Sequence, residues 1–517
     1  MSAKQTADEI RLDGKGLRFG EVMDVARFGA RVALTGAAVA RMEESARIVE
    51  RLGNSDEPVY GVSTGFGSLA TTSIPADRRE QLQLSLIRSH AAGMGEPVEA
   101  EVVRGLMLMR ARSLAMARSG ARPVVAETLL ALLNSGLSPV VPEYGSLGAS
   151  GDLAPLAHCA LVLIGEGEVL GPGGSRIPSG EALRSAGIEP LKLRSKEGLA
   201  LINGTDGILG MLVLAICDLE RTLRTADIAA AASVEALLGT DRAFAADLVG
   251  LRPQPGQMES AANMMKLLAG SEIVASHRQG DPRVQDAYSL RCAPQVLGAA
   301  RDSVTHARRV AEVEMDSAID NPMVLPDGRV ESCGNFHGAP LGVACDLLCI
   351  ASAQAGAISE RRTDRLLDAN RSHGLPPFLA DDPGVDSGMM IAQYTQAAMV
   401  ADNRQLAVPA SSDTVPTSAM QEDHVSMAWN AARKLRRSVA NLERIVTVEL
   451  LCATRGLDLR APLAPAPGTA AALRAVRECA PGPGPDRWQS PELAAVERIV
   501  REGEVLAAVE EEIGELS

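Results

Sequence analysis

The sequence predicts a mainly α fold, an elongated bundle of long helices with a smaller N-terminal lobe, and three observations carry that expectation. From about residue 207 onward the chain falls into Ala-rich and Leu-rich segments whose apolar positions recur at turn spacing. Several of these segments are long enough to run ~40 Å at 1.5 Å per residue, and they are apolar on more than one face, as in a bundle that continues across subunit contacts. Finally, 46% hydrophobic and 22% charged residues allow a large core, and helical enzymes can pack 517 residues as one unit.

Taken in order, residues 1–16 read as a loose terminus, and 20–52 as helical, with Val22, Val25, Ala26, Ile48, Val49 and Leu52 at turn spacing. A glycine-punctuated loop, Tyr60-Gly61-Val62-Ser63-Thr64-Gly65-Phe66-Gly67, precedes helices at about 76–93, 98–118 and 123–136. Four glycines between Gly145 and Gly151 exclude a helix or strand there. Asp152 then reads as an N-cap, Pro155 is tolerated in the first turn, and Leu156 to Ile164 form the apolar body of a helix. Residues 168–178 read as a surface hairpin. Long helices follow at 207–238, 257–274, 292–316, 338–368, 385–406 and 422–456. Pro/Gly breaks at 462–467 and 481–485 frame a C-terminal cap with helices at 468–478 and 491–512. The expected organisation is a lobe over 1–200, a long-helix bundle over 201–460 and a cap over 461–517, together one structural unit.

Composition narrows the function. A net charge of −14 argues against nucleic acid, whose phosphates call for a basic excess. Eight cysteines occur without a CxxC pair, and Cys345 and Cys349 have no zinc-spaced partners, so they read as small buried hydrophobes in a reducing compartment, with no metal site. Met1 to Arg18 lacks a signal pattern, and charge-free runs such as 128–142 and 387–401 stop at 15 residues, short of a membrane span. A cytoplasmic protein is expected, without membrane or nucleic-acid partners.

The chemistry gathers at Gly145-Ser146-Leu147-Gly148-Ala149-Ser150-Gly151-Asp152-Leu153-Ala154-Pro155-Leu156-Ala157-His158. Ala149-Ser150-Gly151 sits in a turn aimed into a helix N-terminus, where partial positive charge stabilises anions. In a compressed turn the Gly151 nitrogen can attack the Ala149 carbonyl carbon. Loss of that water, and then of the Ser150 hydroxyl as a second, leaves a five-membered ring with an electrophilic methylene. Standing alone, Ala-Ser-Gly before a helix is a turn and a cap. The full stretch, however, resembles the signature of the histidine, phenylalanine and tyrosine ammonia-lyase family. That resemblance implies a 4-methylidene-imidazol-5-one formed from Ala149, Ser150 and Gly151, with no external cofactor.

The resemblance extends over most of the chain. Tyr60 lies in a family segment whose Tyr takes the β-proton; a tyrosine anchoring a mobile loop is the plain alternative, and a base of this type needs nearby positive charge to lower its usual value near 10. At Ser89-His90 the phenylalanine-selective relatives carry Phe-Leu, the tyrosine-selective His-Leu and the histidine-selective Ser-His, so His90 implies an imidazole-binding pocket. Asn203, in Leu201-Ile202-Asn203-Gly204-Thr205, is implied to contact the electrophile or the substrate carboxylate; alone it reads as a cap. Arg291, in Val284-Gln285-Asp286-Ala287-Tyr288-Ser289-Leu290-Arg291, suits a carboxylate clamp through its planar fork, with Gln285 and Tyr288 orienting substrate and ring. Phe336 is implied to pack against the electrophile, and Ala339 stands where many relatives carry a carboxylate. Glu422, in Met420-Gln421-Glu422-Asp423-His424, matches the carboxylate that holds the imidazole and reads otherwise as part of a helix cap.

Together these imply elimination of ammonia from L-histidine to give trans-urocanate, in a homotetramer whose subunits share active sites. A tyrosine or phenylalanine lyase, a 2,3-aminomutase, and a catalytically dead scaffold are the alternatives.

Overall fold

A computed structural model describes residues 9–53, 61, 63–65, 67–69 and 71–517. Tyr60, the expected base, and Phe66 lie outside the described residues. The fold is mainly α, as expected: among the described residues 20 α-helices stand beside short strands, and no sheet exceeds three strands. The chain divides into two compact units, one of residues 1–214, 308–346 and 409–433, the other of 215–307, 347–408 and 434–517.

The first unit is built on helices Phe19–Phe28, Gly36–Gly53, Arg79–His90, Ala100–Ala115, Pro123–Asn134 and Leu153–Leu163. The single helical stretch expected over 20–52 is interrupted. Gly29 takes the left-handed conformation (φ 73°) that ends the first helix, and Val32–Leu34 then pairs in parallel with Ile10–Leu12. The expected hairpin is present, Glu168–Leu170 pairing with Arg176–Pro178. Trp429 is fully buried in this unit and donates from Nε1 to the Glu143 carbonyl (2.7 Å), while its ring lies where a side chain at Gly207 would have to go.

Four helices of 23 to 31 residues match expectation closely at most ends: Asp206–Ala236, Ala293–Met315, Ala339–Leu367 and Ala428–Asp458. The last starts later than the expected 422, because residues 418–420 turn left-handed and 421–427 follow as irregular chain. The helix expected over 385–406 likewise starts only at Met390. The expected 257–274 segment ends at Leu268 and resumes at Glu272 across Gly270 (φ 83°), and 491–512 is broken at Gly503 (φ 78°). By length and composition the Ala339–Leu367 helix could cross a membrane, but 61% of its apolar window is buried inside the protein.

The second unit is pinned by a buried ion pair. The Glu449 carboxylate accepts from Arg362 Nη2 (2.7 Å), Ser233 Oγ (2.8 Å) and Ser359 Oγ (2.6 Å), and neither charged side chain reaches solvent. These groups come from three of the long helices, so one anion sets their relative rotation. Arg362→Leu leaves that carboxylate buried without its cation and is expected to cost about 3–5 kcal/mol in chemical denaturation. Removing both charges, in Arg362→Leu/Glu449→Leu, is expected to cost less than the single change.

Candidate active site

The loop around Ala149-Ser150-Gly151 is held by the starts of several helices of the first unit. Its Gly148 carbonyl accepts from Ser426 Oγ (2.8 Å) and from the Gly338 amide (3.1 Å), and its Leu147 carbonyl from the Met427 amide (2.8 Å). Those donors lie immediately before the Ala428–Asp458 and Ala339–Leu367 helices. Asp152 supplies a third tie, and here the expectation needs correcting. Its side chain makes no cap bond to its own helix; Oδ2 instead accepts from the Gly207 (2.8 Å) and Ile208 (2.9 Å) amides, capping the Asp206–Ala236 helix. The reason is reach, since Ser146 Oγ donates to the other oxygen (3.1 Å) and the Asp152 amide donates to the Gly204 carbonyl (2.6 Å). The carboxylate thereby ties two loops together.

Glycine is obligatory at Gly151. Its φ is +70°, and an added Cβ would lie 2.1 Å from the Gly204 carbonyl oxygen. Gly204 is equally confined, since its Cβ would fall 2.4 Å from Asp206 Oδ2 and 2.7 Å from Arg110 Nη1. Ala149 is 7% exposed, and Ser150 is half-buried beside open space. A bare nitrogen at 151, a small residue at 149 and a hydroxyl that can leave into a cavity are what closure of the five-membered ring requires, so the residues fit that group.

Two cavities, of about 440 and 500 Å³, both reach Ser150, Gly67, Asn321 and Glu422. The first adds Ala149, Phe336, His337, His424 and Cys333; the second adds His90, Asn203, Leu86, Leu153 and Ile202. The fold therefore gathers His90, Ala149, Ser150, Asn203, Phe336 and Glu422 around two cavities that share Ser150 and Glu422. His90 ends the Arg79–His90 helix, and its Nδ1 lies 2.9 Å from the Leu86 carbonyl, which can only accept. That contact puts the proton on Nδ1 and leaves Nε2 as an acceptor. Burial lowers the His90 pKa, against the opposing pull of the Leu86 carbonyl and of Glu422. Glu422 is not in a helix start, as expected from sequence, but in a closed turn. Thr417 and Glu422 exchange backbone bonds (2.8 and 3.2 Å), and Thr417 Oγ1 donates to the carboxylate (3.1 Å). Ser418, Ala419 and Met420 within that turn are all left-handed (φ 50°, 50° and 71°), each at roughly 1–2 kcal/mol for a side-chain-bearing residue. Ala339 is the first residue of its helix and half-buried.

Gln285, Tyr288 and Arg291 belong to the second unit. Tyr288 is 72% exposed, Gln285 is exposed, and the Arg291 guanidinium lies 4.7 Å from the Tyr288 ring centroid, its Nε donating to the Asp286 carbonyl (2.9 Å). The Ser289 carbonyl accepts from the buried Arg362 (3.3 Å), which fixes the backbone of this otherwise open segment.

Known proteins place this arrangement. The family model for aromatic amino acid lyases matches residues 17–478. The chain belongs to the aromatic amino acid lyase family. Within this family, a histidine ammonia-lyase of Streptomyces avermitilis is 59% identical over 503 residues, covering 97% of this chain and 98% of that one. Among solved structures, a tyrosine aminomutase from Streptomyces globisporus is similar with a TM-score of 0.93 at 37% identity, covering 98% of this chain and all of that one. A histidine ammonia-lyase from Trypanosoma cruzi is similar with a TM-score of 0.90 at 38% identity, covering 98% and 96%.

Some residues of this lyase's cavity had no signal in the sequence. Asn321 on its wall, and Asp320 and Lys196 behind it, sit in no recognisable motif; Asp320 and Asn321 meet Asn203, and Lys196 meets Asp320, only because segments 117 to 124 residues apart are folded together. Cys333, likewise, reads as one of eight scattered thiols until the fold sets it on the cavity that Ala149, Ser150 and Glu422 line.

Burial raises the Asp152 carboxyl from 3.8 to about 7, with the neighbouring Asp206 acting in the same direction. A carboxyl that holds its proton more tightly folded than unfolded makes stability fall as pH rises from about 4 to about 7. Asp152→Asn is therefore expected to flatten part of that slope in thermal melts taken across the window; an unchanged slope would place the charge cost elsewhere.

Proposed function

We propose that this chain is a histidine ammonia-lyase, converting L-histidine to trans-urocanate and ammonium. The observation that carries the reading is that His90 and Glu422, an imidazole acceptor and a carboxylate, line the same cavity as Ser150. The Streptomyces relative's name and its coverage of nearly the whole chain support the same substrate.

The reaction breaks a Cα–N bond and removes a proton from Cβ that is not acidic. The 4-methylidene-imidazol-5-one formed from Ala149, Ser150 and Gly151 supplies an electrophilic carbon that turns the amine into a better leaving group. The protein's own residues do the rest. Glu422 accepts the N–H of the substrate imidazole, and His90 Nε2 offers a second acceptor beside it. Phe336 walls the cavity on the Ala149 side of the reactive loop, and Asn203 lines the one that holds His90. Tyr60 takes the β-proton, Arg291 pairs in two places with the carboxylate, and Gln285 and Tyr288 orient the substrate. Holding these groups in one geometry supplies much of the rate. The openness of Gln285 and Tyr288 supports a homotetramer in which they complete a site together with another subunit. Its eight free thiols suit a reducing cytoplasm.

A second reading, a 2,3-aminomutase of the same family, is kept by the similarity to the Streptomyces globisporus enzyme and differs in returning ammonia to Cβ.

Incubation with L-histidine is expected to raise the ultraviolet band of urocanate, and chromatography to find no β-amino acid. Borohydride is expected to abolish turnover, and the intact chain to weigh two waters less than its sequence; full activity after complete reduction would remove the electrophile. Glu422→Gln is expected to lower histidine turnover by roughly 10²-fold or more while sparing any phenylalanine turnover. Equal loss on both substrates would undo the imidazole assignment.

A further inference from the structure

Beneath Asn203 lies an ion pair with no solvent contact. Lys196 Nζ stands 2.8 Å from Asp320 Oδ2, with side chains 0% and 1% exposed. Lys196 is also left-handed (φ 67°), an unfavourable conformation for a lysine. A fully buried pair gains little net stability, because desolvation offsets the attraction. Its geometry points to another role. The second Asp320 oxygen accepts from the Asn321 amide (2.7 Å) and from Asn203 Nδ2 (3.2 Å), and Nδ2 also donates to the Asn321 carbonyl (3.0 Å).

Both groups facing that side of the Asn203 amide can only accept. Its nitrogen must therefore point toward them, whichever way a carboxamide is drawn. Its Oδ1 is left without a partner, although the residue is 3% exposed and borders the cavity that holds Ser150 and His90. The Asn203 backbone is fixed as well, its carbonyl accepting from the buried Arg110 Nη1 (2.7 Å). An unpaired buried oxygen is costly unless the working state uses it.

We propose that Lys196 and Asp320 are positioning residues for the reaction: they lock the Asn203 amide with its nitrogen occupied and its oxygen free, so that the site offers an acceptor at this point. An acceptor suits an ammonium or amide N–H. It suits neither a carboxylate nor the closed electrophile ring, whose nitrogens carry no hydrogen, so the free oxygen serves the substrate amine rather than either partner expected for Asn203. This inference rests on the ammonia-lyase reading of the cavity.

The test is a mutant cycle on the full-length enzyme. Lys196→Met/Asp320→Leu removes both charges together, leaving no buried ion unpaired, and frees the amide to rotate. Histidine turnover is expected to fall about 10- to 100-fold, the scale of a small misplacement, with the two-water mass deficit and the circular dichroism spectrum retained. In an Asn203→Ala background the same pair of changes is expected to cost less than about threefold, because the residue they act through is gone. Lys196→Arg, which keeps the charge but moves it, is expected to show a smaller loss with the same dependence on Asn203, and it decides the matter if the double variant does not fold. Losses that simply multiply in the Asn203→Ala background would overturn the proposal. A wild-type chain with neither the mass deficit nor histidine turnover would instead defeat the underlying reading, so the two failures are distinguishable.

Discussion

Everything at the centre of this protein depends on how the loop at residues 145–152 is suspended. It contributes little side-chain bulk of its own, so its shape is imposed from outside by hydrogen bonds to its backbone and to the Asp152 carboxylate. Those bonds come from the approaches to three long helices, Asp206–Ala236, Ala339–Leu367 and Ala428–Asp458, while a fourth, Leu153–Leu163, starts where the loop ends. Helix starts carry unpaired amides and partial positive charge. Gathering several around one glycine-rich turn satisfies the amides, compresses the turn and biases its surroundings toward developing negative charge. The close approach of Gly151 to Gly204 is the limit of that compression.

The sequence makes some of this legible and conceals the rest for identifiable reasons. The long helices could be read nearly to their ends because many turns of apolar periodicity outweigh local exceptions. Breaks at Gly29, Gly270 and Gly503 escaped because an isolated glycine is tolerated inside a helical pattern, and only packing decides whether it ends one. Glu422 was expected at a helix start because acidic residues favour that position. The left-handed turn at 418–420 that removes it from the helix lies against the Gly67 region, where a side chain at Gly67 would meet Ser418, a neighbour 351 positions away that local sequence does not report. Asp152 was assigned to the nearer helix on local grounds, and the fold gave it to one 55 residues away. For His90, Asn203 and Phe336 the motif was visible, but the two cavities that join them through Ser150 and Glu422 were not, since those require contacts across more than two hundred residues.

The charge distribution inside the first unit follows the same logic. Arg110 with Asp206, and Lys196 with Asp320, are ion pairs with side chains at most 3% exposed. Pairs of this kind define orientation better than they add stability, because each breaks if the backbone shifts by an ångström or so. In the second unit Arg362 and Glu449 do for helix rotation what the first pairs do for loop placement. Apolar packing fills both interiors, and the buried charges choose one arrangement among the several that packing alone would tolerate.

The two parts of the cavity wall are built from different materials. The reactive turn is held mostly at its own backbone atoms, with Asp152 as its one charged tie, and by glycines that admit no replacement, whereas His90 and Glu422 enter as side chains, one from the last residue of a helix and one from a closed turn. Backbone bonds survive most substitutions and side-chain contacts do not. A lineage descended from such a protein can thus exchange one amino-acid diet for another by drift at the lining while inheriting its reactive heart intact.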